Sequence, residues 1–568
     1  MTLRSILPGL SLFFCISKGF CQFFPEKHYP QNYFSWPVNA KIGLAANFGE
    51  LRPNHFHMGL DCRTDQKENS PVIAAADGYI AKIKIEPFGF GRCLYINHPN
   101  GFTTLYAHLN DFNPAIEKYI TNQQYKLRTW AVFLDVPAGV LKVSKGDFIA
   151  LSGNTGGSQG PHLHFEIRDT ETDKVLNPLL FGFPIQDNIP PDILRLAVYD
   201  RRVSTYEQTP KIYSLRKTNG IYTVSGGKVV TNSNQVSFAI TAYDRYTGST
   251  NQNGIYEAVL YENMLPVGGF EIDHIGYDET RYLNGHIDYK TRSNGGPWLQ
   301  HLSKLPGYNN SIYKTTASNG IINLDTGIIK HLYIQVKDAN GNKSELSFSV
   351  EAKNIQPLTQ ESETSPLLFK PGVINIFDNN EFQFYLPENA LYDYVHFKYM
   401  KLVGATGNPI YQLLSGQVPL QTYFPIKIKG DFNAEDSSKI VMERAYGSKK
   451  DYKKAVFETG WYKAVFREFG NFQLMIDKIP PVVSSRSLVN NMNASRLKNI
   501  VFTVVDNTEE LNSFTALLDG QWLRFSNDKG RNFIYTFDEH CTAGPHELKI
   551  RVEDQVGNVT ERVYNFTR

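Results

Sequence analysis

The sequence predicts a mostly β chain of several domains, on three observations. Its 568 residues exceed the roughly 100–200 residues of one domain, so three or four domains are expected. It holds 37 Phe and 32 Tyr beside 43 Gly and 29 Pro, a mixture of strand-favouring aromatics and turn formers. Its apolar residues fall in short, often alternating runs rather than long helical stripes. Lys and Arg total 58 against 56 Asp and Glu, a net charge of +2, which excludes nucleic-acid binding driven by bulk charge. A hydrophobic fraction of 41% with 20% charged residues excludes wholesale disorder.

The N-terminus reads as a secretory signal over residues 1–21. Arg4 supplies the positive start and Ile6 to Ile16 the short apolar stretch, with cleavage near Cys21–Gln22. A lipoprotein reading of Cys21 is disfavoured by the bulky Phe20 before it. No later apolar run approaches the ~20 residues of a membrane helix. An exported chain of the periplasm or cell envelope is therefore expected, with no transmembrane segment in its mature form. Of the five cysteines, Cys15 and Cys21 lie in the signal region, leaving Cys62, Cys93 and Cys541. A Cys62–Cys93 bridge is one option; buried free thiols are the favoured one. No CxxC pair implies a thiolate zinc knuckle.

From His55 to about Leu180, short apolar runs are broken by Gly and Pro: Val72–Ala76, Tyr79–Ile85, Cys93–Ile96, Thr103–Ala107, Phe148–Leu151 and His162–Ile167. They predict an antiparallel sheet domain within residues 22–186. Residues 111–143 form an excursion from it. Asn113-Pro114 reads as a helix cap and first position, Ile116, Tyr119 and Ile120 share a helical face, and Trp130–Val136 reads as a strand. The excursion follows His108 directly, so it is expected to wall the groove beside that residue.

The remainder repeats a theme. Ile189-Pro190-Pro191 and Ile479-Pro480-Pro481 each open a β-rich region, while Val336–Asn342 and Val552–Asn558 each close one with an Asp and a Gly-Asn pair. Val236–Thr241, Leu332–Val336 and Glu547–Val552 alternate as half-buried strands do. These features predict immunoglobulin-like β domains at 187–353 and 479–568. A polar linker at 354–366 opens a middle β region that ends at 478. The pairs Asp338/Asn342 and Asp554/Asn558 suit either calcium or turn capping, with capping favoured.

Three clusters carry chemistry: His57-Met-Gly-Leu-Asp61, Tyr106-Ala-His108-Leu109 and Gly160-Pro-His162-Leu-His164-Phe165-Glu166. Histidines two apart on a strand face the same way, so His162 and His164 suit a metal ligand beside a general base. Phe165 points the other way, into the core, and Glu166 returns to the histidine face as a supporting or solvated residue. His57 and Asp61 add an imidazole and a carboxylate, with Gly59 relaxing the backbone between them. Two histidines and a carboxylate with an open fourth position make a catalytic zinc arrangement, here on a β framework because HExxH is absent. His55 is assigned a structural or supporting role, His98 a surface role, and Arg52 and Asn54 the groove lining.

Residues 48–180 resemble the lysostaphin-type (LytM-type) zinc metallopeptidases, which hydrolyse peptide cross-links of bacterial peptidoglycan. The resemblance extends beyond the three clusters to Pro71–Gly78 (PVIAAADG), Asn97–Leu109 (NHPNGFTTLYAHL) and Gly146–Gly156 (GDFIALSGNTG). It implies a lysostaphin-type antiparallel β-sheet peptidase domain in which His57, Asp61 and His164 hold Zn2+. It further implies His162 as catalytic base and His108 as second catalytic histidine. The implied partners are peptidoglycan peptides, with envelope proteins as candidates for the β modules. Some proteins similar in this way have degenerate sites and act instead by binding and regulating a cell-wall amidase. All five positions are intact here, which favours the enzyme.

Overall fold

The structure is a computed structural model that describes residues 23–357, 367–404 and 407–568. The expected signal peptide and most of the expected linker lie outside these residues. Strands take up 48% of the chain and helices 6%, so the protein is mostly β. No described helix is long and apolar enough to cross a membrane.

The N-terminal region is built on one antiparallel sheet. Its strands run, edge to edge, Leu44–Ala46, Leu60–Arg63, His162–Asp169, Phe102–Ala107, Arg92–Asn97, Gly78–Ile85 and Val132–Asp135. A three-stranded sheet of Pro71–Ile73, Phe148–Ser152 and Leu109–Phe112 lies beside it. Five of the six predicted runs match observed strands to within two residues; Val72–Ala76 leaves its strand at Ile73, and Ala74–Ala76 continue as buried loop.

The central strands are apolar on both faces, which explains their unbroken runs. Leu94, Ile96, Tyr106, Leu163 and Phe165 enter the main core. Cys93, Tyr95, Leu105 and Ala107 form a separate cluster on the opposite face. This division also settles the cysteines. Cys62 lies opposite Leu163 and joins the main core, whereas Cys93 belongs to the other face, so both remain buried free thiols. Cys541 is likewise buried and free.

The helix predicted in the excursion spans Pro114–Leu127. The Asn113 side chain accepts from the Ile116 amide, and Pro114 occupies the first turn, where its missing N–H costs nothing. Strand Val132–Asp135 then returns to the sheet edge beside Gly78–Ile85. The helix also meets the far end of the chain. Tyr125 stacks on His540 with ring centroids 3.7 Å apart and donates to Asp538, and Arg524 donates to Gln124.

Residues 192–352 supply an eleven-stranded sheet that contains one parallel pair, Ile221–Thr231 with Lys343–Ala352. Residues 375–476 supply two five-stranded sheets, and one continuous core joins them to the preceding module. Residues 482–567 form a three-stranded and a five-stranded sheet around their own core. Asp338 and Asp554 cap their turns as expected. Each takes the amide of the following Asn (Asn342 at 2.9 Å, Asn558 at 2.8 Å) on one oxygen and that residue's side-chain amide on the other.

The first β module is bonded directly to the N-terminal sheet. Strand Val175–Leu176 pairs with His274–Ile275, extending that sheet by a strand from the next module.

Candidate metal centre

The chain brings His57, Asp61 and His164 together because two of them are cross-strand neighbours. Strand Leu60–Arg63 pairs with His162–Asp169 in a register that sets Asp61 directly opposite His164. His57 reaches the same point from the loop before that strand. Gly59 permits the approach: a Cβ there would lie 2.5 Å from the Phe165 carbonyl oxygen and 2.9 Å from the His164 ring. Neither backbone nor buried ring can yield, so Gly59→Ala is expected to cost about 1–3 kcal/mol of stability in denaturant titration.

His57 Nε2, Asp61 Oδ1 and His164 Nδ1 stand 2.9–3.0 Å from one another. Ligand atoms about 2.0–2.1 Å from a tetrahedral metal are separated by about 3.3 Å, so the three need little movement to share one ion. The electrostatics agree. Burial lowers His57 to about 4, keeping it neutral. Burial opposes the Asp61 charge, but His57, His162 and His164 hold its carboxyl well below the usual range. Burial also opposes a charged His164, yet hydrogen bonds to Asp61 and Glu166 raise it to about 9. His57 is thus neutral and Asp61 charged, as ligands must be, while His164 carries a proton that a bound cation would displace.

Each ring is oriented by its second nitrogen. His57 Nδ1 donates to the Asn47 carbonyl at 2.7 Å, and His164 Nε2 faces Glu166 at 2.9 Å. The outer oxygen of Asp61 accepts from Arg52 at 2.6 Å. Arg52 also bonds Glu50, whose carboxyl burial pushes up to about 7 against the pull of that guanidinium.

His162 and His108 stand alongside. His162 Nε2 lies 3.3 Å from Asp61 Oδ1, and its Nδ1 is held by the Gly160 carbonyl at 2.8 Å. The His108 ring lies 4.8 Å from that of His162, and its Nδ1 is held by the Thr155 carbonyl at 2.9 Å. His108 leaves its strand in the left-handed region, φ 60°, a conformation that costs a non-glycine residue about 1 kcal/mol and is fixed by its amide N–H donating to the Phe90 carbonyl. Both rings keep Nε2 free of backbone.

Other residues depart from expectation. His98 is buried rather than superficial, because both ring nitrogens find partners in the Asp77 carbonyl and Thr104. Glu166 is wholly buried and pairs with Arg168 at 2.7 Å, so it is not a solvated sheet residue. His55 stays outside the cluster on the Pro53 carbonyl. Asn54 bonds Asn284 of the next module, and Arg52 serves Asp61 rather than lining open space.

The sequence reading missed the supports supplied from outside residues 48–180. Asn47, whose carbonyl holds His57, is itself gripped by both backbone groups of Gly254. Tyr277 donates to Glu166. Asp528 accepts from the Gly156 amide at 2.7 Å and Lys529 donates to the Ser158 carbonyl at 3.0 Å, bracing the loop that carries Thr155. No local motif signals contacts between segments so far apart.

Comparison with known proteins matches residues 55–125 and 136–178 to the model of peptidase family M23, and residues 367–477 to a Zu5-like domain. The gap in the first match falls inside the excursion. An uncharacterized metalloprotease of Haemophilus influenzae is 36% identical over 136 residues, 24% of this chain and 22% of that protein. The DD-carboxypeptidase/endopeptidase Mpg of Neisseria meningitidis is 34% identical over 128 residues, 22% of this chain and 23% of its own. The chain thus spans about a quarter or less of the length of these relatives. The catalytic domain of lysostaphin from Staphylococcus simulans aligns over 25% of this chain and 91% of its own, at 22% identity and a TM-score of 0.19. Residues 55–178 of this chain constitute a peptidase family M23 (LytM-type) domain.

Proposed function

We propose that this chain is an exported zinc-dependent endopeptidase that hydrolyses peptide cross-links of bacterial peptidoglycan. The observation that carries the reading is the convergence of five side chains: a three-atom cluster suited to a metal, flanked by two imidazoles whose Nδ1 is tied to backbone and whose Nε2 is not. The relatives support the substrate class. Mpg is named a DD-carboxypeptidase/endopeptidase, and a 27% identical Vibrio cholerae relative, ShyA, is named a peptidoglycan DD-endopeptidase.

In this reading His57, Asp61 and His164 hold the ion. Zinc held there supplies Lewis acidity toward an amide carbonyl and toward water. His162 Nε2 takes the proton that the attacking water loses and returns it to the departing amine. His108 donates its Nδ1–H to the Thr155 carbonyl and burial lowers it to about 3, so it donates from Nε2 toward the oxygen where negative charge develops only after gaining a second proton during the reaction. Glu166 fixes the ring of His164, so Glu166→Gln is expected to lower zinc affinity about 10–100-fold, read by competition with a chelating dye.

The experiment is digestion of purified peptidoglycan by the mature chain, with and without chelator. Release of cross-linked muropeptides as monomers, abolished by chelator and restored by zinc, is expected. No change in cross-linking with zinc-loaded protein would overturn the reading and favour the amidase-regulator alternative. A change confined to one cross-link chemistry would identify the bond cleaved.

A further inference from the structure

Three carboxylates meet at the junction between the peptidase domain and the first β module. Asp187 lies in the connection, just before Ile189-Pro190-Pro191; Asp244 follows strand Gln235–Tyr243; Asp338 follows strand Ile329–Lys337. Each offers an oxygen within 4.8 Å of the other two. Asp244 and Asp338 are 1% and 2% exposed. Among the described residues, no Lys, Arg or His forms an ion pair with any of the three.

Their hydrogen bonds leave oxygens over. Asp338 is occupied by its turn amides, and one oxygen of Asp187 accepts from Ile189. The other oxygen of Asp187 and both oxygens of Asp244 are buried without a partner. A fourth oxygen points the same way independently. Asn253 is bonded across from Asp244 through reciprocal amide–carbonyl bonds, which sets the two side chains on one face. Asn253 is 1% exposed, and its Oδ1 too lacks a partner. Burial, with Asp338 and Asp187 adding repulsion, pushes the Asp244 carboxyl up to about 8. An unpartnered buried carboxylate costs several kcal/mol, and a cation removes that cost.

The pattern recurs once more in the chain. Asp477 precedes Ile479-Pro480-Pro481, Asp506 follows strand Asn499–Val505, and Asp554 ends strand Pro545–Asp554 and caps the turn after it. One oxygen of Asp477 and one of Asp506 are again buried without a partner. Turn capping alone explains Asp338 and Asp554. It does not explain why Asp187 and Asp244 stand beside Asp338; around Asp554, Asp477 and Asp506 repeat the sequence positions and repel one another, without being a group within 4.8 Å.

We propose that Asp187, Asp244, Asp338 and the Asn253 side chain bind a calcium ion that ties the entry segment of the β module to its strand ends, beside the peptidase domain. An all-oxygen set of carboxylates and an amide, completed by water, is the donor type of calcium, which takes six to eight oxygens in flexible geometry. The site adjoins the Asn253-Gly254 segment that grips Asn47, so the ion stiffens the loop that holds the His57 carbonyl partner.

The test uses the full zinc-loaded chain and calcium chloride, by calorimetric titration and thermal unfolding. Millimolar calcium is expected to bind and to raise the unfolding midpoint by a few degrees. Asp244→Asn is expected to reduce the calcium stoichiometry by one ion and diminish the shift. Asp187→Asn, at a half-buried connection, guards against a variant that merely misfolds and is expected to behave alike. Equal calcium stoichiometry in wild type and both folded variants would overturn the proposal. So would magnesium binding at the same stoichiometry and affinity, or no calcium bound to the wild type at 5 mM.

Discussion

Replacing His164 with Ala is expected to empty the metal centre and abolish hydrolysis. His57 Nε2 and Asp61 Oδ1 would remain 2.9 Å apart, but two ligand atoms cannot close a catalytic site. The loss should exceed the ~10–100-fold typical of removing a mere supporting partner. Glu166 stays paired to Arg168, so the fold survives the change and the effect is read at the metal. Zinc content by mass spectrometry should fall from about one ion per chain to background. Retained zinc with full turnover would remove His164 from the ligand set.

His162→Ala is expected to give the opposite split: zinc retained and turnover reduced by about 10²–10⁴-fold, the usual contribution of a general base. His162 shares a strand face with His164 and its Nε2 stands 3.3 Å from Asp61 Oδ1, yet it is not among the three side chains, His57, Asp61 and His164, whose ligand atoms all lie within 4.8 Å of one another. Its other nitrogen is tied to the Gly160 carbonyl, so the free nitrogen is aimed without help from a metal. Zinc content and kcat measured on the same preparation decide the matter. Loss of zinc in this variant would make His162 a ligand and leave the base to be found elsewhere.

The three clusters were legible because the spacings inside each are local, whereas their joining as His57, Asp61 and His164 was implied by the resemblance. His162, His164 and Glu166 alternate along one strand, and a period of two is visible in any sequence. The helix was legible for the same reason, since Asn113-Pro114 announces its start. Register and face were not. That Cys62 and Cys93 belong to opposite faces depends on which strand lies beside which. His98 was misplaced because a turn-rich setting suggests solvent, whereas its two nitrogens are satisfied inside. Asn47, Tyr277 and Asp528 could not be found at all, because nothing near each of them in sequence names the partner.

Those distant contacts set an order of events during synthesis. A ribosome delivers His57 and His164 before Gly254, and Asp528 later still. Until then Asn47 lacks its Gly254 bonds, and the Thr155 loop is held only from within the N-terminal domain, through Arg92, Leu109 and Gly89. The emerging N-terminal half therefore holds every reactive side chain but not the full set of struts that aims them. A chain cut short before Gly254 or Asp528 would carry the chemistry in a loosened form.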